Sequence, residues 1–233
     1  MLAVEGLTAR YGAITALRDV SLHVDEGEIV CLIGPNGAGK TTLMSSVTGL
    51  LRPAAGTVSY RGEDVTRLPP DELLRRGLAL VPERRRIFAD LTVEENLLVA
   101  GITVSSGDRR RRITEVMEIF PVLGEKRALP AGYLSGGQAQ QLAVARALMT
   151  RPRLILMDEP SLGLAPALVK VIFQLVARLR DDGTTMLVVE QNARKALDVA
   201  DRAYMLRTGR LVDEASQEDF ARWSDLFESY VGG

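Results

Sequence analysis

The sequence predicts an α/β fold: a buried, mostly parallel sheet wrapped by helices, with a β-rich start and a helical insertion in mid-chain. Three observations carry that expectation. The runs at 28–33, 77–81, 154–157 and 184–189 are apolar almost throughout rather than alternating, as in strands covered on both faces. Stretches with helical apolar spacing separate them, so strands and helices take turns along the chain. Between 91 and 149 the strand signals stop and only helical ones remain.

Taken in order, residues 2–9 and 20–24 alternate in polarity and read as two short strands, the second closed by a turn at 25–27. The apolar strand 28–33 runs into a glycine-rich turn at 34–39 and a helix from 40 to 50, ended by Pro53 and Gly56. Residues 57–60 form a further strand and 77–81 a buried one. Thr92, with Glu95 three positions on, caps a helix. Ile113, Val116, Met117 and Phe120 then recur at helical spacing, and Ser135 caps another helix with apolar positions Leu142, Ala145 and Leu148. Strand 154–157, helix 165–180, strand 184–189, helix 192–200 and strand 203–206 complete the alternation. No internal repeat or low-complexity linker interrupts it.

Composition sets the outer bounds. The 233 residues are 46% hydrophobic and 25% charged, which excludes a disordered chain, and the net charge of −1 excludes a general polyanion binder. Arginine outnumbers lysine 25 to 4, a coding bias. The four arginines at 109–112 read as a solvated helix start, since no aromatics interleave with them as they do in nucleic-acid patches, and no nucleic-acid partner is expected. The single cysteine, Cys31, lies in the 28–33 run and reads as a small core residue. No basic-then-apolar segment opens the chain, and no stretch approaches the roughly 20 apolar residues that span a bilayer. A cytoplasmic protein is expected; any membrane part of its task falls to other subunits.

Three motifs carry chemistry. Gly34, Pro35, Asn36, Gly37, Ala38, Gly39, Lys40 and Thr41 match G-x-x-x-x-G-K-[ST] between a strand and a helix. Backbone N–H groups of such a turn curl around a phosphate, and the helix N-terminus adds its positive end. Lys40 reaches the outer phosphates, Thr41 offers a hydroxyl to Mg²⁺, and Thr42 offers a further phosphate hydrogen bond. Next, the strand 154–157 carries Asp158 to the carboxyl edge of the sheet, where it would hold Mg²⁺ through water, with Glu159 one residue on to polarise an attacking water. Finally, Ser135, Gly136 and Gly137 open a helix, a second phosphate-directed start, though read alone they are an ordinary serine cap.

With G-P-N-G-A-G-K-T-T, L-S-G-G-Q and L-I-L-M-D-E-P in that order over essentially the whole chain, the sequence resembles the ATP-binding subunits of ABC transporters. The resemblance implies a P-loop NTPase (RecA-like) core with an N-terminal antiparallel β subdomain and an inserted helical subdomain. The chain would then be one nucleotide-binding domain over 1–233, with 1–83 and 151–233 as core and 84–150 as helical insertion. It implies ATP and Mg²⁺, and head-to-tail dimers in which Ser135, Gly136 and Gly137 serve the partner's nucleotide. Tyr11 would stack on adenine; a strand-surface tyrosine is the alternative for it. The segments V-P-E-R-R-R-I-F at 81–88, D-E-P-S-L-G-L-A-P at 158–166 and V-E-Q-N-A at 189–193 are similar to the LivF-type ATPase subunit of branched-chain amino-acid importers. That branch implies a sister ATPase or a second copy, two membrane permease subunits docking around 83–100, a periplasmic or extracellular solute-binding protein, and a peripheral place on the cytoplasmic face of the inner membrane.

Two positions depart from the wider family. Glu83 stands where most members have Gln after the 78–82 strand, and Gln191 where most have a γ-phosphate-holding His. His23, the only histidine, lies on an N-terminal strand and reads as a structural or surface residue. A urea or short-amide importer, a chromosome or ribosome-acting ABC ATPase and a non-hydrolysing ATP-gated module are the rival readings. A chromosome ATPase needs a long coiled coil between its motifs, and none appears between Lys40 and Leu134; a ribosome factor needs two cassettes, and one is present.

Overall fold

A computed structural model describes residues 1–221 and 223; part of the core expected to run to 233 lies outside them. In chain order the strands and helices are β1 (Leu2–Tyr11), β2 (Ile14–Val24), β3 (Ile29–Ile33), α1 (Lys40–Val47), β4 (Ala55–Tyr60), β5 (Glu63–Asp64), α2 (Pro70–Arg75), β6 (Leu78–Val81), α3 (Val93–Ala100), α4 (Ser106–Ile119), α5 (Pro121–Glu125), α6 (Gly136–Leu148), β7 (Leu154–Asp158), α7 (Pro166–Asp181), β8 (Thr185–Glu190), α8 (Ala193–Leu197), β9 (Arg202–Arg207) and β10 (Arg210–Ser216).

Two sheets form. One has the order β10-β9-β3-β8-β7-β6, parallel from β9 to β6 with β10 antiparallel at its edge. The other is antiparallel with the order β2-β1-β4-β5. The continuous apolar runs are explained by burial on both faces. Ile29, Cys31 and Ile33 of β3 point into a core shared with α3, α4, α6, α7 and α8. Val30 and Leu32 point the other way, toward α1 and the antiparallel sheet. The six-stranded sheet is thus the middle layer. Cys31 is fully buried and its Sγ lies 3.4 Å from the Ala196 carbonyl; burial pushes its thiol far above the ordinary range, so it stays protonated.

The helical caps form as their residue types dictate. Thr92 and Glu95 make a reciprocal capping box at α3, and Ser135 and Gln138 make another at α6. Other expectations are corrected. The first helix stops at Val47, not 50, because Thr48 turns its hydroxyl back onto the Met44 carbonyl and Gly49 adopts φ +72°. The regular part of α8 ends at Leu197, short of 200. The second strand starts at Ile14, not 20, since the Gly12 turn folds β2 straight back on β1 and a left-handed Asp19 interrupts the polarity alternation. The arginine run is not simply solvated: Arg112 donates twice to the Leu148 carbonyl, at 2.9 and 2.6 Å, closing the C-terminal end of α6. β10 and α2 had no counterpart in the sequence reading; Thr208-Gly209, both at positive φ, is the tight turn that makes β10 possible.

Candidate nucleotide site

A cavity of about 590 Å³ opens at the carboxyl edge of the six-stranded sheet, over the start of α1. Asn36, Gly37, Gly39, Lys40, Thr41, Thr42, Glu83, Glu159 and Gln191 line it together, although they come from four separate parts of the sequence. β3 delivers the phosphate loop, β6 delivers Glu83, β7 delivers Asp158 and Glu159, and β8 delivers Gln191. Because these strands are parallel neighbours, their carboxyl ends emerge side by side.

The loop backbone requires its glycines. Gly37 and Gly39 sit at φ +77° and +109°, and a Cβ on Gly34 would lie 2.3 Å from the Leu206 carbonyl. Gly39 precedes α1 at the cap position and offers no side-chain cap, which leaves the first N–H groups of the helix open to an anion. The loop is braced from a direction the sequence reading missed: Gly209 donates its N–H to the Ala38 carbonyl at 2.8 Å, and Arg18 donates to the Gly209 carbonyl at 2.8 Å. Thr208, Gly209, Ile14, Thr15 and Ala16 accordingly line the cavity as well. The available signal was the Thr-Gly turn dipeptide.

Lys40 is only 4% exposed and has three oxygen neighbours: the Gly34 and Pro35 carbonyls at 2.8 and 3.1 Å, and Glu159 Oε1 at 3.2 Å. Glu159 Oε2 accepts from Gln191 Nε2 at 2.6 Å. One carboxylate therefore joins the phosphate-loop lysine to the end of β8. Glu159 holds φ +49°, a conformation that costs a non-glycine residue on the order of 1 kcal/mol or more. Asp158 is 4% exposed, and its Oδ1 has no hydrogen-bond partner. Burial raises its carboxyl to about 6; the Thr41 hydroxyl, donating to it, pulls the other way, and Glu159 and Glu83 push it up further.

Other candidate residues lie elsewhere. Tyr11 is 53% exposed and absent from the cavity lining, though its cross-strand partner Ile14 is part of it. Ser135, Gly136 and Gly137 sit at the start of α6, also outside this cavity. His23 is half-exposed beside Arg202 and Tyr204, remote from the site in sequence and in contacts.

The sequence pattern of the ABC transporter family matches residues 17–162, more than half of the chain. The chain belongs to that family. Among its ABC relatives, the high-affinity branched-chain amino acid transport ATP-binding protein BraG of Pseudomonas aeruginosa is 45% identical over 233 residues, covering 100% of both chains. The probable branched-chain amino acid transport ATP-binding protein LivF of Archaeoglobus fulgidus is 40% identical over 212 residues, 91% of this chain and 90% of that one. The ATP-binding cassette MJ0796, solved as a dimer in a post-hydrolysis state bound to ADP and Pi, superposes with a TM-score of 0.83 at 30% identity, covering 93% of this chain and 99% of that one. The fold is thus an ABC ATPase cassette, a nucleotide-binding domain. No helix among the described residues is long and apolar enough to cross a membrane.

Proposed function

We propose that this ABC ATPase hydrolyses MgATP to drive the import of branched-chain amino acids through two membrane permease subunits. Its partner in the dimer is a sister ATPase or a second copy, and a solute-binding protein outside the membrane delivers the cargo. The observation that carries the catalytic part is the chain of contacts Lys40–Glu159–Gln191, buried at its lysine, beside the glycine loop. The full-length likeness to BraG supports the cargo assignment.

In this reading the loop N–H groups from Gly34 to Thr42 and the Lys40 ammonium hold the phosphates; the Tyr11 ring stacks on the adenine. Asp158 and Thr41 suit Mg²⁺: Asp158 offers a buried, unpartnered carboxylate oxygen with a hydroxyl beside it, and magnesium is held by one or two carboxylates plus substrate phosphates. Bound there, Mg²⁺ would supply positive charge against the phosphate oxygens. Glu159 orients the attacking water, Gln191 holds Glu159, and Glu83 faces the same cavity from β6. Phosphoryl transfer to water needs this positioning and charge more than covalent help. Ser135, Gly136 and Gly137 lie outside their own chain's cavity and complete the partner's site.

The permease contact falls in a groove of about 330 Å³ between β6 and α6, lined by Leu74, Leu80, Arg85, Arg86, Arg146 and Ala147. Its three arginines favour an acidic residue on the docking helix.

Folding raises the Asp158 pKa from an unfolded 3.8 to about 6. The ionised carboxylate therefore costs the fold stability, a cost absent below about pH 4 and complete above about pH 6. A cation on Asp158 offsets it. Mg²⁺ is thus expected to raise the melting temperature clearly at about pH 7.5 and little at about pH 5; an equal shift at both would place the ion elsewhere. For the cargo, deleting the gene is expected to abolish ATP-dependent uptake of labelled leucine, isoleucine and valine and to spare urea and acetamide uptake. The reverse pattern would assign the importer to short amides.

A further inference from the structure

Glu190, the last residue of β8, is 2% exposed, and no cation pairs with it among the described residues. Its carboxylate instead takes three hydrogen bonds. Oε1 accepts from the Ser161 N–H at 3.0 Å; Oε2 accepts from the Ser161 hydroxyl at 2.9 Å and the Gln191 N–H at 3.3 Å. Burial raises its pKa and these bonds oppose the rise.

Ser161 is the third residue of a tight turn that begins at Glu159. Leu162 donates its N–H to the Glu159 carbonyl at 3.1 Å, and Pro160 occupies the second position, where its fixed φ suits the turn. The Glu159 N–H donates to the Val189 carbonyl at 2.9 Å. The turn is therefore pinned at its start by the β8 backbone and in its middle by the next side chain along β8. Strained backbone persists only where its surroundings over-determine it, and Glu159 at φ +49° sits inside this double attachment.

We propose that Glu190 is a positioning residue for hydrolysis: by gripping both donors of Ser161 it holds the Glu159 turn in the conformation from which Glu159 meets Lys40, Gln191 and the attacking water. This rests on Glu159 being the water-orienting residue.

The amide variant isolates the contact. Both carboxylate oxygens of Glu190 receive a backbone N–H, so in Glu190→Gln either orientation of the amide turns its NH₂ toward a donor. The turn loosens while volume is kept. Misplacing a reacting group by about 1 Å costs on the order of 10²-fold in rate. With purified full-length chain, Glu190→Gln is expected to lower kcat at least about tenfold and leave the ATP dissociation constant unchanged. In a Glu159→Gln background it is expected to lower kcat no further, because the residue it positions is already gone. Ser161→Ala, which removes only the hydroxyl, is expected to give a smaller loss that does not add to that of Glu190→Gln. An unchanged kcat in Glu190→Gln and Ser161→Ala overturns the proposal. So does a loss of equal size in the Glu159→Gln background, or a fall in kcat matched by weakened ATP binding. Normal turnover in Glu159→Gln alone would instead remove the role of Glu159 itself, a separate failure.

Discussion

Glu159→Gln is expected to bind ATP as tightly as the unaltered chain and to hydrolyse it about 10²–10⁴ times more slowly, the usual cost of losing a positioned base. The amide keeps the size of the side chain and can still accept a hydrogen bond from Lys40 or Gln191, so the phosphate loop stays in place. What is lost is a second acceptor and the negative charge that attracts a proton of the attacking water. Steady-state ATPase beside nucleotide titration separates the two effects. Turnover within a few-fold of the unaltered chain would leave Glu159 as a strained turn residue with no part in the reaction.

Lys40→Ala should damage binding as well. The ammonium is buried, and each charge-assisted hydrogen bond it makes to a phosphate is worth about 1.5–3 kcal/mol, or roughly 10- to 100-fold in affinity. Its removal also leaves Glu159, 9% exposed at the side chain, as a buried carboxylate without a cation. Removing one partner of such a pair costs the fold about 3–5 kcal/mol. A lower melting temperature together with weak ATP binding is therefore expected, in contrast to Glu159→Gln, where affinity holds. Unchanged nucleotide affinity in Lys40→Ala would place the phosphates away from this loop.

The parallel sheet was legible because strands buried on both faces have no polar positions to hide them, and the caps at Thr92 and Ser135 because the cap and its partner lie three residues apart. The glycine loop was legible for a related reason: its motif is contiguous in sequence. What escaped depends on distant contacts. Gly209 braces the loop from the far end of the chain, and Glu190 grips Ser161 across 29 residues. β10 is mostly exposed at a sheet edge, so no apolar pattern marks it. Arg112 reads as one of four like charges until the fold brings the Leu148 carbonyl to it. Gln191 stands where most members have a γ-phosphate-holding His, but the hydrogen bond from its amide to Glu159 spans 32 residues and only the fold reveals it.

In the proposed dimer each hydrolytic site joins the phosphate loop of one chain to the α6 start of another. Lys40→Ala and Ser135→Arg test it in combination. Each variant alone, as a homodimer, carries a lesion in both sites. When the two purified variants are mixed, every mixed dimer places both lesions on one site and leaves the other whole. ATPase activity is expected to reappear on mixing two inactive proteins. A mixture as inactive as its components would contradict it, returning Ser135 to the role of an ordinary helix cap.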